Sequence, residues 1–154
     1  MLASRSLVVG LALSLFVPAC AGGDDDDGGD DTEVNCATET RDDDFVAGMT
    51  KDGDVFAFRL MDSVPSPPDK GDNTWTIRIE DGGEGVPALD VSFSLNMPDH
   101  GHGTPIPVGV TDEGDGSYTA DPINMWMPGL WDVTINADDG TAADSVTFSF
   151  CVQG

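Results

Sequence analysis

From about residue 36 onward, apolar and polar positions alternate along the chain. In "TWTIRIE", Trp75, Ile77 and Ile79 fall on one side and Thr76, Arg78 and Glu80 on the other. "LDVSFSLNM" repeats the pattern with Val91, Phe93 and Leu95. "DVFAFRLMDSV" sets Phe56, Phe58 and Leu60 against Val55, Ala57 and Arg59. "GLWDVTINA" opens with Leu130 and alternates through Trp131, Val133 and Ile135, and "DSVTFSF" through Val146, Phe148 and Phe150. "DFVAGM" reads as an opening strand, with "PIPVGV" and "SYTADPINMWM" as further ones. Turn-formers separate these runs, as in "SPPDKGDN", "DGGEG", "TDEGDG" and "DDG". Period two marks strands with one dry and one wet face. Short strands between regular turn signals predict an all-β fold, an antiparallel β-sandwich spanning 36–154. No helical period occurs in that span.

The opening residues follow another pattern. Arg5 precedes an apolar run at residues 7–17, which is too short to span a bilayer. The run ends at Pro18, Ala19 and Cys20 and gives way abruptly to acidic glycine-rich chain, so residues 1–19 read as a secretory signal rather than a core helix. "VPAC" resembles a bacterial lipobox. Ala19 fits the position before the cysteine, Val17 replaces the commoner leucine, and Pro18 departs from the usual pattern. The resemblance implies a diacylated Cys20 and a lipid-anchored protein of the bacterial cell envelope, facing the periplasm or the cell surface. Ordinary cleavage near the same place is the alternative.

Residues 20–35 begin with that cysteine and continue as "AGGDDDDGGDDTEVN". So little apolar surface cannot offset the cost of ordering, and like charges extend the segment into a tether reaching roughly 50 Å. A calcium site is the sharper reading of these aspartates, but nothing preorganises them. The formal net charge of −23 makes nucleic acid a poor partner and steers cations toward the protein.

If Cys20 carries lipid, Cys36 and Cys151 remain, one at each end of the predicted sandwich. In an oxidising compartment they are expected to pair; two separate thiols are the alternative.

Catalytic arrangements are scarce. Both histidines sit in one glycine loop, no serine occupies a Gly-x-Ser-x-Gly elbow, and no glycine-rich loop opens a helix. The carboxylates lie in turns, where aspartate is the ordinary residue. The protein is therefore not expected to be an enzyme.

"NMPDHGHGTP" holds Met97, His100 and His102, and "NMWMPG" holds Met125 and Met127. Thioether and imidazole together form a soft to borderline donor set that favours copper over magnesium or calcium. If the two stretches meet, Met97, His100, His102 and Met127 converge, with Met125 in reserve. No sequence rule makes them neighbours. Structural methionines and a polar histidine turn explain the same residues without a metal. A blue-copper site is excluded, because Cys151 is followed only by "VQG".

Residues from about 86 to 150 resemble the YtkA-like family. The match is carried by "MPDHGHGTP", "GDGSY" and "MPGLWDVTI", and so by Met97, Pro98, His100, Gly101, His102, Tyr118, Met127, Gly129 and Trp131. The resemblance implies an exported immunoglobulin-like sandwich, related in shape to CopC-like copper-resistance proteins, and it offers no catalytic residue. The expectation is an exported, lipid-anchored binding module with copper as the candidate cofactor and otherwise none. Its expected partners are the membrane, the copper ion and a protein. The alternative is a metal-free surface or periplasmic protein-interaction domain.

Overall fold

The computed structural model describes residues 35–154, so the expected signal sequence at 1–19, Cys20 and most of the acidic segment lie outside the described residues. A 3-10 turn at Cys36–Thr38 comes first, capped by the Asn35 side chain, which accepts a hydrogen bond from the Ala37 N–H. Ten strands follow: β1 (Met49–Asp52), β2 (Ala57–Val64), β3 (Gly71–Asp81), β4 (Glu84–Gly85), β5 (Asp90–Met97), β6 (His102–Gly103), β7 (Gly109–Asp112), β8 (Ser117–Met125), β9 (Gly129–Asp138) and β10 (Ala143–Val152).

The strands form two antiparallel sheets. One runs β1-β2-β3-β8-β7, with β4 paired to the end of β3, and the other runs β10-β9-β5-β6. Without β1 and β4, this is the strand arrangement of an immunoglobulin-type sandwich, in which two hairpin-built sheets exchange strands by crossing between them. Alternation along each strand explains the layering. Trp75, Ile77 and Ile79 of β3 are buried, as are Trp131, Val133 and Ile135 of β9. Between the layers, Trp75 meets Phe148 and Phe150 edge-on, with ring centres 6.4 and 5.6 Å apart. Each such aromatic stabilises by roughly 1.5–3 kcal/mol through area removed from water.

The connection from the first sheet to the second is pinned from inside. The Tyr118 hydroxyl donates to the Val86 carbonyl at 2.7 Å and accepts from the Leu89 N–H at 3.1 Å. Cys36 and Cys151 form a disulfide with Cα atoms 5.4 Å apart, closing a separation of 115 residues. Closing so long a loop stabilises by roughly 4–5 kcal/mol in the chain-entropy model.

Three sequence expectations need correction. "DFVAGM" is not a strand, because only Met49 belongs to β1. Asp43 ties this segment to β10 instead: its N–H donates to the Ser149 carbonyl at 2.7 Å, and its carboxylate accepts from the Ser149 N–H at 2.8 Å. In β2 the alternation slips at a bulge between Leu60 and Asp62, which leaves Met61 exposed and turns Ser63 inward. Phe93 shares the inward side of β5 but is only half-buried. Its neighbour β6 is two residues long and leaves that flank of the sheet open.

Candidate functional site

β5 ends in a tight turn that carries both histidines. The Met97 carbonyl accepts from the N–H groups of His100 (3.2 Å) and Gly101 (2.8 Å), reversing the chain within four residues. Gly101 takes a φ of +65°, a backbone conformation that costs a side-chain-bearing residue and costs glycine nothing. The returning chain forms β6, with His102 opposite Met97 and Gly103 opposite Asn96. A Cβ on Gly103 would collide with the Leu95 carbonyl, so only glycine allows β6 this close to β5. The two glycines of "HGHG" thus have separate structural tasks, one in conformation and one in approach.

The turn is braced from outside. Arg41 places both terminal nitrogens on the two oxygens of Asp99, each at 2.7 Å, and also pairs with Glu39. Hydrogen bonding from the same guanidinium holds the Asp99 carboxyl below the usual carboxylate range and pulls that of Glu39 down to about 2. Arg41 and Asp99 are half exposed whereas Glu39 is mostly covered, so salt and water screen the Arg41–Asp99 pair more than the Arg41–Glu39 pair. Their bidentate geometry nevertheless ties the residue before His100 to the chain just past Cys36.

"NMWMPG" arrives at the same end of the sandwich from the other sheet. Met125 closes β8 with its side chain in the core, and Met127 lies in the bend before β9, half-buried against it. Trp126 projects between them, 46% exposed, whereas Trp75 and Trp131 are fully buried. Its indole stacks on His102, with ring centres 5.7 Å apart and planes 27° from parallel. The bend is held from beneath, because the buried Trp131 donates its indole N–H to the Met127 carbonyl at 2.9 Å.

The two stretches therefore meet, at Trp126 on His102 and at Thr104, whose hydroxyl donates to the Asn124 side-chain oxygen at 3.1 Å. The ring centres of His100 and His102 are 5.6 Å apart. An ion about 2.0–2.1 Å from a ring nitrogen sits roughly 3.2 Å from the ring centre, so two rings sharing an ion can be up to about 6.4 Å apart. The observed separation is within that reach. His102 Nδ1 faces the Gly103 carbonyl at 3.3 Å. If that contact is a donated hydrogen bond, Nε2 is the lone-pair nitrogen free to bind an ion.

The sulfur donors are less open. Met97 and Met125 have no accessible surface and belong to the core cluster, so the structure accounts for both as packing residues. Met97 nevertheless sits directly across the ladder from His102, on the same face, where opposed side chains come within about 5 Å at Cβ. Met127 is the partly accessible thioether. Among the described residues, no group of three or more His, Cys, Asp or Glu gathers to hold an ion. Two imidazoles completed by thioether sulfur suit a soft ion of low coordination number better than a hard one.

Sequence reasoning missed Trp126 and Arg41 as parts of this site. Period-two alternation in "MWM" already turned Trp126 away from its methionine neighbours. A large aromatic turned outward beside a Pro-Gly bend was the available signal. Nothing in the sequence linked Arg41 to Asp99.

Residues 50–136 match the family model described as YtkA-like, more than half of the 154-residue chain. The matched span runs from β1 into β9 and contains Met97, His100, His102, Met125, Trp126 and Met127; Cys36 and Cys151 fall outside it. No curated protein matches, and no solved structure does.

Proposed function

The chain belongs to the YtkA-like family, and from that premise we propose that it is an exported, lipid-anchored binding module that carries reduced copper. The ion is held at one end of the sandwich by His100, His102 and Met127, with Met97 beneath and Met125 in reserve. The observation that supports this most is the meeting of "HGH" and "MWM", with His100 and His102 5.6 Å apart and Trp126 against His102. Two imidazoles with thioether sulfur form a donor set for a soft, monovalent ion. The role is carriage rather than catalysis, because the site holds no nucleophile with a base beside it.

Copper enters an oxidising envelope as a cation, and a chain of formal charge −23 attracts it from a distance. The cell-envelope location and the lipid on Cys20 rest on the signal-like opening and "VPAC". Replacing Cys20 with Ala should move the protein from the detergent phase to the aqueous phase. An unaltered protein that already partitions wholly into water would end the anchor reading.

The copper reading is tested by competition against a chelator of reduced copper. Wild type retains one ion, and His100→Ala with His102→Ala loses it while keeping the fold. Met127→Ala weakens retention by a smaller factor. Imidazole must be neutral to ligate, so retention falls as the solution is acidified. Equal competition by wild type and the double histidine variant would leave the second reading, a metal-free protein-interaction domain. The exposed Trp126 favours that second reading, since indoles are enriched where proteins dock.

A further inference from the structure

Resting on the copper reading, we propose that Trp126 is the specificity-determining residue of the site, a fixed aromatic lid that selects a monovalent soft ion over a hydrated divalent one. Trp126 is 46% exposed in a protein whose other two tryptophans are fully buried. An indole left in water gains nothing for the core, and its position has to be explained by what it covers. It covers His102, at 5.7 Å between ring centres and 27° between planes.

The lid is held at both ends. Beneath it, the Trp131 indole N–H donates to the Met127 carbonyl at 2.9 Å and fixes the bend that carries Trp126. On the other side, His102 Nδ1 lies 3.3 Å from the Gly103 carbonyl. The His102 ring is therefore confined between a backbone acceptor and an indole face, and its orientation is set before any ion arrives. Gly103 is held close against β5, which fixes the backbone that carries His102.

This arrangement treats ions differently by charge and coordination number. A divalent ion such as zinc completes four positions, and two imidazoles with one thioether leave it needing water or another oxygen donor. An indole face extending from the His102 ring over its Nε2 edge would offer no lone pair and would take the space water would use. A monovalent soft ion is satisfied by two or three nitrogen and sulfur donors, and the electron-rich face of tryptophan attracts a neighbouring cation. The lid thus disfavours the divalent ion by excluding water and spares the monovalent one.

The test measures silver(I), a redox-stable substitute for reduced copper, and zinc(II) separately by competition titration on wild type, Trp126→Ala and Trp126→Phe. Expected is a fall in the silver-to-zinc affinity ratio of about tenfold in Trp126→Ala, and recovery to within about threefold of wild type in Trp126→Phe. The Trp131 indole N–H resonance monitors the bend in each variant. If Trp126→Ala loses that resonance, Trp126→Leu, which keeps apolar bulk without the aromatic face, is measured in its place. A ratio that does not change on removing the indole overturns the lid while leaving copper carriage intact. A wild type that holds neither ion overturns the copper reading, and the lid falls with it.

Discussion

His102, from the edge of one sheet, is stacked on Trp126, from the end of the other. The sheets are also joined through the core and by hydrogen bonds such as that from Lys51 of β1 to the Thr147 carbonyl of β10, and this contact closes one mouth of the sandwich from outside. It also makes Trp126 the water-facing indole among the three tryptophans. Emission accessible to acrylamide should come from Trp126, and Trp126→Phe should remove that fraction while leaving the buried emission unchanged. A quenching curve identical in the two proteins would mean the indole is not on the surface.

The two glycines of the histidine loop should respond differently to alanine. Gly101→Ala strains a positive φ with open space around it and should cost about 1 kcal/mol. Gly103→Ala drives a methyl into the Leu95 carbonyl and should displace β6, at about 1–3 kcal/mol and with loss of the His102–Trp126 stack. Denaturant midpoints give the order. The reverse order would mean that β6 is not held against β5.

The Arg41 fork makes an acid-side prediction. Glu39 falls from its ordinary value of 4.5 to about 2, chiefly through its side-chain hydrogen bond with Arg41. A depressed folded value stabilises above the unfolded value and is lost as pH falls, here between about 4.5 and 2. Carboxyl NMR titration should place the Glu39 midpoint near the lower figure, and Arg41→Gln should return it toward the higher one. High salt should shrink the difference, because the Arg41 end of the pair is half exposed.

Tyr118→Phe removes a hydroxyl that serves two backbone groups, the Val86 carbonyl and the Leu89 N–H. Leaving these without a partner beside the core should cost roughly 1–3 kcal/mol, out of proportion to one oxygen atom. Thermal unfolding checks this, and a loss of only a few tenths would mean that water replaces the hydroxyl freely.

The disulfide should be visible chemically and thermodynamically. Non-reducing mass spectrometry of the protein should find Cys36 and Cys151 unavailable to alkylation. Replacing both with Ala should lower stability by roughly 4–5 kcal/mol. Two alkylatable thiols in freshly isolated protein would remove the bridge from the native molecule.

The sandwich was legible because burial writes period two directly into sequence. Each strand that packs by simple alternation, such as that carrying Trp75, Ile77 and Ile79, was readable from its residues alone. The strand that slips at Leu60 and Asp62 was readable only up to the bulge, because an extra residue changes the phase without changing composition. "DFVAGM" misled because Phe45 is apolar for another reason: it packs edge-on against Phe150 from a loop, with ring centres 6.0 Å apart. At the candidate site, donor types were visible but adjacency was not. Whether His102 meets Trp126 depends on how β5, β6 and β8 are placed in two different sheets, and this is tertiary information.

The bridge between Cys36 and Cys151 also determines how the domain carries mechanical load. Both cysteines lie at the margins of the described fold, so a pull between the residues before Cys36 and those after Cys151 passes through one covalent cross-link. The strand ladders between them sit on a closed loop in parallel with that link and bear almost none of the tension. Under such a pull the domain would hang as a rigid bead, with the histidine turn unstretched beside Arg41.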